Sequence, residues 1–317
     1  MGGLVLLLLT PGFLSAQEAT PATPVPYVPS TDLAQLSGAI IVDGSSTVWP
    51  IALDAAERFM ALAPVFIEVE LSGTGGGFRR FCANESDLQN ASRPITDEEG
   101  ATCEANGVAY EAFPLGYDGI TITVNPQNTW AQCLTVDQLR ALWAPDSSVM
   151  TWRDLDPAWP DMEIELYGPG PDSGTFDYFT ESIVGEAGAT RTDYLPSEND
   201  LDLVEGVASQ QGALGYFGFS YYEADADRLR ALAIDSGAGC VEPSLESIAD
   251  GSYAPLSRPL FLYVNTERLA RPEVREFLRF AFSQMHDVVV TVGYVPLPAP
   301  EYDENNARLD ALLEGQP

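Results

Sequence analysis

The chain has 317 residues, a length that fits about two domains, and its 45% hydrophobic content supports packed cores rather than a disordered chain. Its formal net charge is −32, from 47 acidic and 15 basic residues, every basic one an arginine; such a surface repels nucleic acid and anionic lipid, which recruit basic patches. Four cysteines without CxxC spacing, and one histidine, His286, exclude a histidine-rich metal site and leave no metal or cofactor to expect.

In chain order, residues 4–9 are a short leucine-rich run, and Ser15 and Ala16 supply small residues before Gln17. No Lys or Arg precedes the run, yet the pattern reads as a secretion signal over residues 1–16. It falls well short of the roughly 20 apolar residues of a membrane span. Residues 17–37, rich in Pro and Thr, read as a linker. Strands are then expected at 39–42, 66–71, 117–124, 164–167 and 260–264, and helices at 49–62, 136–143, 173–184 and 272–282. The alternation predicts an α/β fold with helices packed on sheets. An even cysteine count in an exported chain favours disulfides. Of the three pairings, Cys82–Cys103 with Cys133–Cys240 is expected, because the first two are near in sequence and would clip one lobe.

Three segments share one plan, a strand, a turn of Gly, Ser and Thr, and then a helix: 43–47, 72–77 and 172–175. A helix start offers unpaired N–H groups and about half a positive charge. Any one such turn is most simply a helix cap. Three that converge make an anion cradle without lysine. Residues 72–77 lack the Gly-Lys-Ser/Thr ending of a nucleotide P-loop and the spacing of GxGxxG. The acidic surface does not forbid an anion, since distant charge is screened beyond about 10 Å.

Segments 44–48 (Gly-Ser-Ser-Thr-Val), 72–78, 90–95 (Asn-Ala-Ser-Arg-Pro-Ile) and 172–179 (Asp-Ser-Gly-Thr-Phe-Asp-Tyr-Phe) resemble the signatures of PstS-type phosphate-binding proteins. So do 212–217 and 292–297, and the likeness is strongest to the SphX-like branch. The resemblance implies a two-lobed type II periplasmic-binding fold, with mixed sheets flanked by helices and a two-strand hinge near 113–122 and 258–264. Lobe I would hold 38–115 with 259–317, and lobe II 116–258. It implies ligand contacts from Ser46, Thr47 and Val48, from Thr74, and from Ser173, Gly174 and Thr175. It further implies a non-enzymatic monomer outside the cytoplasmic membrane, which closes over inorganic phosphate and delivers it to the membrane permease of an ABC importer.

Two positions depart from the family's pattern. Arg93 stands after Ala91-Ser92, where the family has a proton-accepting Asp, and Gly168-Pro169-Gly170-Pro171 stands where it has an Arg. Arg93, beside Ser92, and Arg191 are therefore the candidate cations, since a guanidinium suits two-point contacts to phosphate. Asp43, Asp172 and Asp177 are the candidate acceptors, with Asp172 equally suited to capping a helix. Two alternatives stay open. A secreted phosphatase-like hydrolase would use Ser46 or Ser173, but the one histidine, His286, lies far in sequence from both, and activation would rest on carboxylates or a metal with no arranged ligand cluster. A binding protein for another oxyanion, such as sulfate, would use the same turns.

Overall fold

The computed structural model describes residues 26–171 and 173–314; the expected signal segment, most of the linker and Asp172 lie outside the described residues. Ala39–Gly44 forms strand β1, an apolar run that pairs in parallel with β2 (Phe66–Val69) and β3 (Leu88–Ala91). Between them run helix α1 (Trp49–Met60) and helix α2 (Gly73–Cys82). Pro50 suits the first turn of α1, and Ile51, Ala52, Ala55, Ala56 and Phe59 give it one buried stripe. Helix α3 (Asp97–Ala105) follows, started by a capping box in which Thr96 and Glu99 satisfy each other's backbone N–H.

Strand β4 (Tyr110–Val124) is 15 residues long and is the spine of the molecule. Beyond it come α4 (Val136–Trp143), β5 (Glu165–Pro169), α5 (Gly174–Phe179) continued by a π turn over Thr180–Val184, β6 (Leu195–Ser197) and β7 (Ala213–Gly218). Strand β8 (Ser257–Asn265) and the long helix α6 (Pro272–Thr291) complete the frame. The main path of strands runs β2-β1-β3-β8-β4-β7-β5-β6. The N-terminal part of β4 pairs antiparallel with β8, and its last five residues pair antiparallel with β7. One strand thus serves two bodies.

Two large cores lie on either side of this crossing. One gathers Ile40, Phe59, Phe113 and Leu262 with Phe277 and Val288 of α6. The other gathers Ile122, Leu139, Trp143, Phe179 and Tyr216. Residues 26–37, expected as linker, pack instead on the first: Tyr27 meets Phe280 edge-on at 5.3 Å, and its hydroxyl donates to the buried Glu276 carboxylate at 2.7 Å. No helix of the described residues is long and apolar enough to cross a membrane.

The structure differs from the sequence reading at residues 72–77, where the glycine-rich turn is already the first turn of α2. Glycine is a poor helix former, so a tertiary demand has won. A Cβ on Gly77 would lie 2.6 Å from Gly44 Cα, so only glycine lets α2 approach the end of β1.

Both disulfides close as expected, Cys82–Cys103 joining α2 to α3 and Cys133–Cys240 joining two strands of a separate three-stranded sheet. Replacing Cys82 and Cys103 together by serine is expected to lower unfolding free energy by about 3 kcal/mol. Denaturant titration of the oxidised chain against the double variant measures it, and an unchanged midpoint would contradict it.

Candidate phosphate cleft

Between the two cores lies a cleft of about 660 Å³, its walls drawn from both. On one side the end of β1 delivers Ser45, Ser46 and Thr47. The helical ladder begins where Trp49 N donates to Ser45 O at 3.0 Å, so the N–H groups of Ser46, Thr47 and Val48 precede it and have no intrahelical acceptor. The Val48 side chain is buried in the core, so only its backbone can serve the site. Thr74, in the first turn of α2, and Ser92, just past β3, touch through their hydroxyls at 3.1 Å, and Ser92 N donates to Thr74 Oγ1 at 3.2 Å.

Asp43 holds these pieces in register. Its buried carboxylate accepts from Gly44 N at 2.7 Å, from Ser72 N at 3.1 Å and Ser72 Oγ at 2.7 Å, and from Arg80 Nη1 at 2.6 Å. Those four contacts occupy Asp43, which therefore braces the turns and is not an acceptor for a ligand.

The positive charge in the cleft comes from the hinge. Asp118 of β4 and Arg258 of β8 are directly opposite in the ladder. Arg258 Nε and Nη2 donate to Asp118 Oδ2 at 3.3 and 3.2 Å, Nη1 donates to Ser92 Oγ at 3.2 Å, and Nη2 donates to Thr47 Oγ1. The guanidinium also lies 3.5 Å from the ring centre of Tyr178 on α5, and the Tyr178 hydroxyl donates to Pro255 O at 2.6 Å. Burial pushes the Asp118 carboxyl up from its ordinary range, and the Arg258 pairing opposes that shift. Because Thr47 accepts from Arg258, its hydroxyl keeps its own proton for another acceptor, and of the touching Thr74 and Ser92 hydroxyls one proton stays free.

Across the cleft, Ser173 caps α5 by accepting from Thr175 N at 3.2 Å. A Cβ on Gly174 would stand 2.9 Å from Thr47 Cα and 3.0 Å from Thr47 N, so the start of α5 touches the end of β1. The two sides of the cleft are already in contact there. Asp177 and Glu181 line the α5 wall.

A model of the PBP superfamily domain matches residues 28–285. Protein SphX of Synechocystis sp. is 46% identical over 274 residues, which is 85% of this chain and 82% of that protein. The phosphate-binding protein PstS of Staphylococcus saprophyticus is 35% identical over 290 residues, 90% of this chain and 88% of its own length. The crystal structure of a possible phosphate binding protein from Planctomyces limnophilus, 45% identical, superposes with a TM-score of 0.84 over 88% of this chain and 100% of its own. The chain belongs to the PBP superfamily, in its PstS and SphX branch.

Within that family frame, the positions named from sequence divide into three groups. Ser46, Thr47, Thr74, Ser92 and Arg93 line the cleft. Ser173, Gly174 and Thr175 stand at its edge, where α5 meets Thr47, with Val48 behind. Arg191 is elsewhere. It is buried and donates to Leu142 O and Val149 O at 2.9 Å each, and to Asp193 at 2.6 and 2.8 Å, binding the end of α4 to the following loops. Arg191→Met is expected to leave anion affinity within about twofold while costing about 1–3 kcal/mol of stability, because the Leu142 and Val149 carbonyls lose their donor. Parallel calorimetric and denaturant titrations check both, and a large affinity loss at unchanged stability would return Arg191 to the site.

Arg93 reaches the cleft but is not free. Its two terminal nitrogens donate to the two oxygens of Glu99 at 2.8 Å each. Those bonds raise the Arg93 pKa; burial works against the Glu99 carboxylate, but the bonds from Arg93 and Thr96 outweigh it and hold Glu99 below its ordinary range. Sequence reading missed Asp118, Arg258, Tyr178 and Glu181. The available signal was a lone charge at the edge of an apolar strand run, in Tyr117-Asp118-Gly119-Ile120 and in Ser257-Arg258-Pro259-Leu260. A strand interior tolerates such a charge only when it is paired.

Proposed function

We propose that this chain is the extracytoplasmic capture subunit of a phosphate importer: a monomer that binds inorganic phosphate between its lobes and hands it to the membrane permease of an ABC transporter. It is a binding protein and not an enzyme, a reading supported by the Staphylococcus saprophyticus relative, whose name is phosphate-binding protein. The observation that carries the reading is the meeting in one interlobe cleft of Arg258, the hydroxyls of Thr47, Ser92 and Thr74, and the opening turns of α1 and α2. Together they present several donors, one proton being kept between Thr74 and Ser92, to the unprotonated oxygens of a tetrahedral anion. The lobes are residues 38–115 with 259–317, and 116–258. They separate about β4 and β8, and the anion stabilises the closed arrangement by touching both. The Ser173, Gly174 and Thr175 start of α5 is lobe II's half of the contact.

Equilibrium dialysis of the phosphate-stripped chain against labelled phosphate, with sulfate as competitor, tests this. One site per chain that sulfate displaces poorly is expected. No retention of phosphate, or stronger retention of sulfate, would overturn it.

A further inference from the structure

Two guanidinium groups line the cleft, and neither brings an unopposed positive charge. Arg258 is paired with the buried Asp118, and Arg93 is held at two points by Glu99. The facing wall carries Asp177 and Glu181, neither of which has an ion-pair partner among the described residues. They are four residues apart, along α5 and the π turn that extends it, a spacing at which like charges repel. Two positive side chains therefore meet four carboxylates. The starts of α1 and α2 offset about half a charge each. The cleft as a whole is not positive, which suits a doubly charged anion poorly.

The hydrogen-bonding pattern points the same way. Thr47 and Ser92 accept from Arg258, so Thr47 and one of the paired Ser92 and Thr74 hydroxyls offer protons to bare oxygens of a ligand, whereas Asp177 and Glu181 are acceptors that need a ligand O–H. An anion that satisfies both walls carries unprotonated oxygens on one side and hydroxyl groups on the other.

We propose that the cleft takes the singly charged, doubly protonated form of phosphate in preference to the doubly charged form, with Asp177 and Glu181 as the residues that set this choice. The inference rests on the phosphate reading above. Asp177 is faced by Arg258 of β8, by Tyr216 of β7 and by Glu181; Glu181 is faced by Arg93 beyond β3 and by Tyr178. Burial pushes the Asp177 carboxyl up from its ordinary range, Arg258 opposes this and Glu181 adds to it. Falling pH protonates the ligand, and a cleft that takes the singly charged form then binds it more tightly.

Calorimetric titration of the full chain with inorganic phosphate at several pH values is the test. Affinity is expected to weaken about five- to tenfold between about pH 6 and about pH 8, across the ligand's second ionisation. In Asp177→Asn/Glu181→Gln the pH dependence flattens, and sulfate, a dianion throughout, binds at least about tenfold more tightly than to the native chain. Glu181 is exposed, so Glu181→Gln alone gives a folded comparison in which part of both effects is expected. Phosphate binding that stays level or tightens as pH rises would overturn this inference and leave the phosphate reading standing. No phosphate binding at any pH would overturn both.

Discussion

An Arg258→Gln chain is expected to lose phosphate affinity by about two to four orders of magnitude. Each charge-assisted hydrogen bond is worth about 1.5–3 kcal/mol, and the guanidinium organises two points of contact, at Thr47 and at Ser92. The substitution also strands Asp118, fully buried at the centre of the hinge, so stability should fall by about 3–5 kcal/mol. The two effects are separable. Arg258→Gln/Asp118→Asn removes the orphaned charge and should recover most of the stability and none of the affinity. Arg258→Lys keeps the charge but cannot reach Asp118, Ser92 and Thr47 together, and should fall between. Calorimetric titration read beside denaturant unfolding distinguishes these cases. Near-native affinity in Arg258→Gln would remove Arg258 from the site.

The second large effect is steric. Gly174→Val places a side chain against the backbone of Thr47, where even a Cβ would lie 2.9 Å from Cα. Neither atom can turn aside, because both belong to turns braced within their own lobes. Forcing such a contact costs about 1–3 kcal/mol, or about a five- to 150-fold loss of affinity. The clash arises only where the lobes meet, so unfolding free energy should hardly change. Small-angle scattering with and without phosphate checks the cause: the native chain compacts on binding, and the variant should stay extended. Full compaction with native affinity would contradict the view that Gly174 and Thr47 must touch.

Much of this was legible in the sequence because its signals are local. Strand β1, helix α1 and the cap at Ser173 follow from apolar spacing and from Ser, Thr and Pro at helix starts, all written within a few residues. The hinge pair was not legible. Asp118 and Arg258 are 140 residues apart, and only the register of β4 on β8 sets them face to face. The family resemblance implies both hinge segments, the second beginning at Arg258 itself, but single-strand reasoning does not say which partner a charge will meet. Arg191 fails for the converse reason. Its position just after the α5 segment suggests a cation for the cleft, while packing turns it to the carbonyls at the end of α4. Residues 73–77, four of them glycine, read locally as a loop, and the need to set Gly77 against Gly44 makes them a helix.

A crystal structure of the chain grown with phosphate decides whether the interlobe cleft holds the anion. One tetrahedral anion is expected between the lobes, within hydrogen-bonding distance of Arg258 or of the hydroxyls it organises on one side, and of the Ser173–Thr175 turn on the other. An empty cleft at saturating phosphate, or an anion bound to one lobe alone without closure, would contradict it.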